Sequence, residues 1–434
     1  MNEGGLRQAG GRRQASGSGR GPGPAGFRFE RRWIAPGLSA LGLLVAAAMT
    51  LALFTGRLPW LGPPAGGGGG GGSPAPGGPV RTPDPVIVNP VPKTNVVGSI
   101  LFAKAGNVWM ASGEKVTRLS TGGRDSSPAW SAGGSWIYLV ETRDREDVRV
   151  PDVSGPVRFY LRYPVIVRMH PDGSGREVVQ ESLYRFGPGN RYTYHAWYLQ
   201  PAPAPDGRQV AVISDAPEPL RSDTVVQLIP AAGGEPVRIA VPSVPTLGHA
   251  DPAWRSDGAV LAFTHHGRDG SDPAPQIYIW VPATNHWRAI TAAGYSQPSW
   301  SPDGRFLAAV RASGNGRDVV ILDAKTGDEL LQLTDDGLSW APAWSPAGDA
   351  VAYLHAAGRV IDLAMVTLTG SGPGFAVDER LAITEDSGLD GTSRPSWFVP
   401  PELLPSPSPA PPPTASPAPS ATGAAGTPSP GATP

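Results

Sequence analysis

What the chain lacks narrows the residues that could carry chemistry. It has no cysteine, which removes thiol nucleophiles, disulfides, cysteine-ligated zinc and iron–sulfur clusters together. It also lacks a Gly-x-Ser-x-Gly elbow, a Walker loop, a dinucleotide fingerprint and a His-Glu-x-x-His helix, so hydrolase, nucleotide and zinc-protease signals are absent. His265-His266 with Asp269 and Asp272 offers metal-type donors, but ligands must converge and be oriented by surrounding hydrogen bonds, which a loose hairpin does not supply. That cluster reads as a solvated hairpin, and no metal or cofactor is expected. Two other groups remain. One is a ring of residues that each precede a proline, Ser127, Gln200, Asp251, Gln297, Ala341 and Arg394, with His249 near Asp251 and Trp340 beside Ala341. With one acid and one base, Asp251 and Arg394, it suits a peptide or a charged small ligand. The other is Tyr160, Tyr163, Tyr184, Tyr192, Tyr194, Trp197 and Tyr198, aromatics near arginines of the kind that dominate protein contacts and stack on sugars.

A repeat brings the pre-proline residues into one ring. The copies are Pro128-Ala-Trp130-Ser-Ala-Gly-Gly, Pro201-Ala-Pro203-Ala-Pro-Asp206-Gly, Pro252-Ala-Trp254-Arg-Ser-Asp257-Gly, Pro298-Ser-Trp300-Ser-Pro-Asp303-Gly, Pro342-Ala-Trp344-Ser-Pro-Ala-Gly and Pro395-Ser-Trp397. Successive prolines lie 73, 51, 46, 44 and 53 residues apart, near the period of a four-stranded propeller blade. The first interval is longer, and residues 141–198 read as an insertion in the second blade. After Trp300 the plan is clearest: an Asp303-Gly304 turn, strands over 306–310 and 319–323, a Lys325-Thr-Gly327 turn and a strand over 330–333. Asp-Gly tolerates the positive φ of a tight hairpin, so each unit is a meander. The tryptophan supplies a large wedge between neighbouring blades; Pro203 takes its place in one copy, and that blade is expected to pack less regularly.

The two ends of the body complete one another. Segments 99–104, 107–112 and 116–120 read as the second, third and fourth strands of a blade without a first strand, and Thr392 to Phe398 supplies one. The C-terminal strand is therefore expected to close the N-terminal blade and leave no open sheet edge. Six copies imply an all-β, six-bladed propeller over residues 96–398. Pro-x-Trp-Ser-Pro-Asp-Gly followed by a short apolar strand resembles the repeat of TolB-type six-bladed propellers over that whole stretch. The resemblance implies a module that binds proteins or peptides in the cell envelope. Related propellers accompany serine peptidases of the prolyl oligopeptidase type, for whose catalytic domain this chain has no room. TolB itself is soluble and carries an N-terminal α/β domain, from which this chain departs.

Outside the body the composition changes. Ile34 to Gly56 is an uncharged run of 23 residues, about 34 Å long as a helix and enough to span a ~30 Å hydrocarbon core. Trp33 and Trp60 flank it at interfacial depth, and seven arginines precede it against two glutamates. The positive-inside rule then places residues 1–33 in the cytoplasm and the propeller outside. A secretory signal peptide also begins with a basic region and an apolar run, but this run is longer than a signal core and no small-x-small site follows closely. Residues 57–95 hold a seven-glycine run and then seven prolines, a linker; residues 405–434 contain only Pro, Ser, Ala, Thr and Gly, and 399–434 read as a disordered tail. Net charge is −1 for the chain and −6 beyond the basic arm, which argues against nucleic-acid binding by the body.

These readings converge on a single-pass envelope protein whose propeller binds or scaffolds a protein or peptide without catalysis. The alternative is an envelope glycan lyase or hydrolase with a polar site at the channel mouth, which paired acids across the channel would favour; the ring contains Asp251 alone.

Overall fold

The structure, a computed structural model, describes residues 94–149, 157–186, 192–216, 223–239, 246–267, 274–314, 316–405 and 431. Six four-stranded antiparallel sheets form the blades, each written here from its inner strand outwards. Blade 1 combines Ser396–Phe398 with Val96–Lys104, Asn107–Gly113 and Lys115–Arg118. Blade 2 has Asp125–Trp130, Ile137–Arg149, Val157–Met169 and Glu177–Gln180; blade 3 has Tyr198–Pro203, Gln209–Ser214, Val225–Pro230 and Val237–Arg238. Blade 4 has Thr246–Trp254, Leu261–Gly267, Gln276–Val281 and His286–Ala289. Blade 5 has Tyr295–Trp300, Phe306–Ser313, Gly316–Asp323 and Glu329–Gln332, and blade 6 has Ser339–Trp344, Ala350–Ala357, Val360–Thr369 and Ala376–Ala382. Among the described residues no helix is long and apolar enough to cross a membrane. The run at 34–56, the basic arm and nearly all of the linker and tail lie outside them.

The core is divided among the seams between blades. Successive side chains of a strand point to opposite faces, so the apolar run after each motif serves two seams at once. Phe306 and Ala308 pack towards blade 6 while Leu307 and Ala309 pack towards blade 4. Val210 and Val212 face blade 2, and Ala211 and Ile213 face blade 4. Strands buried on both faces read as continuous apolar stretches rather than alternating ones. The motif tryptophans act as expected: Trp130, Trp254, Trp300, Trp344 and Trp397 each sit in the seam with the preceding blade. Trp130 and Trp300 also donate their indole N–H to the carbonyls of Ser99 and Ala253 in that neighbour. Where Pro203 stands instead, the seam between blades 2 and 3 is filled by Tyr138, Tyr198 and Trp136.

Residues 141–198 are not a detachable insertion in blade 2. They contain that blade's third and fourth strands, because the apolar stretch Val165–Met169 carries the alternating seam residues. The additions are the outer part of a long hairpin, pairing from Thr142↔Pro164 to Arg149↔Val157, and a small separate hairpin of Leu183–Phe186 with Tyr192–His195.

Ring closure follows the expected one-plus-three scheme, with Ser99↔Phe398, Ile100↔Trp397 and Leu101↔Ser396 in register. Gly98 makes it possible: its φ is +75°, and a Cβ there would collide with the Phe398 carbonyl. The Trp397 indole donates to the Val97 carbonyl at 2.8 Å, and Trp397 and Phe398 pack into the two seams that flank blade 1. Ending the chain after Pro395 removes this strand. At roughly 2–4 °C per kcal/mol for a domain of this size, with two partly buried aromatics worth about 1–3 kcal/mol each and the strand's ladder bonds lost as well, calorimetry of the truncated chain should show a melting midpoint lowered by ~10 °C or more. Ending it after Leu404 should leave the midpoint unchanged.

Candidate binding channel

Five of the six pre-proline residues share an unusual backbone. Ser127, Gln200, Asp251, Gln297 and Ala341 have φ between 50° and 55°, a left-handed conformation that costs a non-glycine residue about 1–2 kcal/mol. At the same place each inner strand gains one residue over its partner: Ser126↔Val140 is followed by Ala129↔Tyr138, and Ser296↔Val310 by Ser299↔Ala308. This is a β-bulge, which bends a strand and re-aims its side chains. The following proline has no N–H to offer a ladder, so the irregular point falls where a bond is already missing.

Four of the five N–H groups turned out by the bulges are taken up by side chains of the preceding blade. Asp251 N–H donates to Gln200 Oε1 at 2.8 Å, Gln297 N–H to Thr264 Oγ1 at 2.9 Å, Ala341 N–H to Gln297 Oε1 at 2.8 Å and Ser127 N–H to Ser393 Oγ at 3.0 Å. A second tier lies deeper, where Trp130 N–H donates to Ser396 Oγ and Trp344 N–H to Ser299 Oγ. The ring is thus a hydrogen-bonded girdle. Asp251 is part of it: Gln200 Nε2 donates to Oδ1 at 3.1 Å and Thr264 Oγ1 to Oδ2 at 3.0 Å.

Arg394 departs from the pattern, because the inner strand of blade 1 pairs without a bulge. A turn capped by Asp390, which accepts from Thr392 and Ser393, leads into it. Its side chain reaches towards blades 6 and 5, where Nη2 donates to the carbonyls of Pro298 at 2.7 Å and Pro342 at 3.4 Å. Burial lowers its affinity for the proton below the ordinary arginine value, and Asp251 opposes that shift. Around it the inner strands enclose a channel of about 470 Å³, with Ser127, Gln200, Asp251 and Arg394 in its wall and Trp130 and Trp344 among the other lining residues.

The remaining residues expected at the mouth lie elsewhere. Gln297 and Ala341 belong to the girdle but do not line the channel. Trp340, one step along the strand from Ala341, points into the seam between blades 6 and 1, where its indole donates to the Gly391 carbonyl and Arg317 lies 4.9 Å above the ring. His249 is buried beside Phe263 and His265, and its Nδ1 accepts from Val226 N–H. Burial, with His265 and His266 adding repulsion, pushes this imidazole down to about 3. His265 is itself buried rather than solvated, because it lies on the second strand of blade 4 and stacks near Tyr278; Asp269 and Asp272 lie outside the described residues. Among the described residues no group of His, Cys, Asp or Glu is arranged to hold a metal ion.

The blade 2 aromatics do not form one surface. Tyr163 and Tyr198 are buried in seams, while Tyr160 and Trp197 are 80% and 43% exposed. Tyr184 and Tyr194 pack edge to face at 5.9 Å. Tyr184 and Tyr198 border a second cavity of about 440 Å³ between blades 2 and 3. Tyr192 pairs with Phe186 in the small hairpin. Sequence reasoning missed the acceptors Thr264 and Ser393 and the hydroxyls Ser120, Thr291, Thr334 and Thr384, each of which accepts from a third-strand N–H within its blade. The recurring pair of an aliphatic residue with Ser or Thr, as in Leu119-Ser120 and Leu333-Thr334, was the available signal.

Six blades closed by a C-terminal strand around a channel of mixed polar and apolar lining define a velcro-closed β-propeller. A family model described as the TolB beta propeller domain matches residues 191–380, and the body of this chain is a six-bladed propeller similar to that domain. TolB from Acinetobacter baumannii is similar in fold, with 19% identity over 69% of this chain and a TM-score of 0.50; this chain covers 66% of that protein, a little under two thirds. A chain of a nidogen/laminin complex matches at 11% identity over 69% of this chain and 97% of its own, with a TM-score of 0.46. An oligogalacturonate lyase from Vibrio parahaemolyticus matches at 14% identity over 69% and 92%, with a TM-score of 0.40. No curated protein matches the chain by sequence.

Two outcomes follow from the girdle and its surroundings. Asp251→Ala strips acceptors from Gln200 and Thr264 at a left-handed position, so urea titration should show a loss of about 1–3 kcal/mol; Asp251→Asn, which tolerates that conformation and can still bond both neighbours, should lose less than about 1 kcal/mol. His249 binds its proton far more weakly when folded than the ordinary value of about 6.5 that it regains on unfolding. The unfolded chain therefore takes up a proton below that value, and this histidine's contribution to stability is intact above pH ~6.5 and lost as pH falls towards 3. Thermal melts between pH 7 and 4 should show the decline, and His249→Gln should flatten it.

Proposed function

We propose that this chain holds its propeller outside the cytoplasm, anchored by the apolar run at 34–56, as a binding or scaffolding module of the cell envelope that receives a protein or peptide in its central channel. The observation that carries the reading is the channel itself, a cavity of about 470 Å³ with polar and indole groups in one wall, suited to an extended segment with side chains of mixed character. Binding rather than catalysis is supported by the state of Asp251. Both of its oxygens accept hydrogen bonds, one from Gln200 of blade 3 and one from Thr264 of its own blade, and a general base needs an oxygen within reach of the proton it removes. The uncharged length of the 34–56 run and the arginines before it support the anchor and its orientation.

Photo-crosslinking in intact cells tests this reading. A photoreactive residue at Ser131, in the channel wall, should give a discrete adduct with an envelope protein or peptide. One at Arg288, on the exposed outer strand of blade 4, should not. Ala132→Trp, which adds bulk to a turn lining the channel, should abolish the Ser131 adduct. No adduct from the channel position, or the same adducts from both positions, would overturn the proposal.

A further inference from the structure

Arg394 is a cation without an anion. Among the described residues no carboxylate oxygen lies within 4.0 Å of its guanidinium, although twelve other ion pairs of this kind are present. Its bonds to protein run through Nη2 alone, to the Pro298 and Pro342 carbonyls. Nε and Nη1 make no hydrogen bond to a described residue, and the residue borders the channel. A guanidinium carries five N–H donors in a rigid fork matched to planar oxyanions. Charges removed from bulk water are ordinarily paired, and Asp251, the nearest acid in the channel wall, is turned towards Gln200 and Thr264.

We infer that Arg394 makes the channel a receptor for a carboxylate presented on a peptide, either the C-terminal group or an acidic side chain. This rests on the channel being the partner's site and adds the chemistry by which the partner is recognised. Anchoring through Nη2 fixes the plane of the guanidinium before any ligand arrives. The remaining donors then meet a carboxylate without further ordering of the side chain, which is the circumstance in which a charge-assisted bond adds most to affinity. Asp251 supplies the opposite selection, since its charge disfavours a ligand with two adjacent acidic groups. The pyrrolidine and indole surfaces of Pro128, Pro201, Pro342, Trp130 and Trp344 in the same wall accommodate an apolar residue next to that carboxylate.

The test is calorimetric titration of the full chain in detergent with two probes, N-acetyl-Ala-Leu-Ala as the free acid and the same tripeptide as its C-terminal amide, and with inorganic phosphate. The acid should bind at least tenfold more tightly than the amide. Arg394→Gln should erase the difference, and Arg394→Lys, which keeps the charge but not the fork, should retain part of it. Equal binding of acid and amide by the unaltered chain would overturn the inference without need of any variant. So would a preference for the acid that survives in Arg394→Gln, or phosphate binding at Arg394 with no discrimination between the tripeptides. An acid preference that depends on Arg394, together with no crosslinked adduct at Ser131, would uphold the carboxylate site and reject the protein-receiving role. An adduct with no acid preference would do the reverse.

Discussion

The molecule is organised around a hydrogen-bonding problem at the axis. In blades 2 to 6 the inner strand carries a proline, and the bulge beside it turns a main-chain N–H away from the sheet. A buried donor without an acceptor costs about as much as a lost hydrogen bond, so the neighbour must supply one. Gln200, Thr264, Gln297 and Ser393 do so. In blades 2, 4, 5 and 6 the strain of a left-handed residue is thereby converted into a bond between blades. The positions and orientations of the channel-lining groups all depend on that exchange, because a bulge that relaxed would return its side chain to the sheet.

Much of the fold was legible in the primary structure, for reasons that particular residues make plain. A proline, a tryptophan and a turn glycine recurring near a fixed interval can satisfy each other in few ways, and the alternating seam partners of Phe306, Leu307, Ala308 and Ala309 explain why the following strand is apolar without interruption. The short closing strand was visible because the first blade lacked its motif. The limits were equally physical. Trp340 was placed at the mouth because it adjoins Ala341, yet one step along a strand reverses the face. His249 was placed there for the same reason and is buried instead. The charged outer part of the long hairpin, Arg143 to Arg149, hid the fact that the chain returns through Val165–Met169 to complete blade 2.

The site was only half legible. Position in the repeat brought Ser127, Gln200, Asp251 and Arg394 to one channel wall, but it could not tell a group facing the cavity from one facing its neighbour. Asp251 and Arg394 looked alike as charges on a ring. Three-dimensional arrangement separates them: the acid is held in the girdle by two donors, and the base reaches to two carbonyls of blades 5 and 6. Thr264 and Ser393, which lie outside the motif in sequence, complete the girdle in space.

The pairing of Ser396–Phe398 with Val96–Lys104 also sets an order of events in the life of the chain. The strand that begins the body is among the first of it to emerge during synthesis or export, and the strand that covers its edge is the last. Until Phe398 emerges, the Val96–Lys104 edge has no neighbour on its axial side, and an uncovered edge readily pairs with other chains. Blades 2 to 6 can form while the ring is still open, but the channel cannot exist before the final strand docks. Completion of the binding site is therefore coupled to completion of the polypeptide, and a chain halted anywhere before its closing strand has no channel at all.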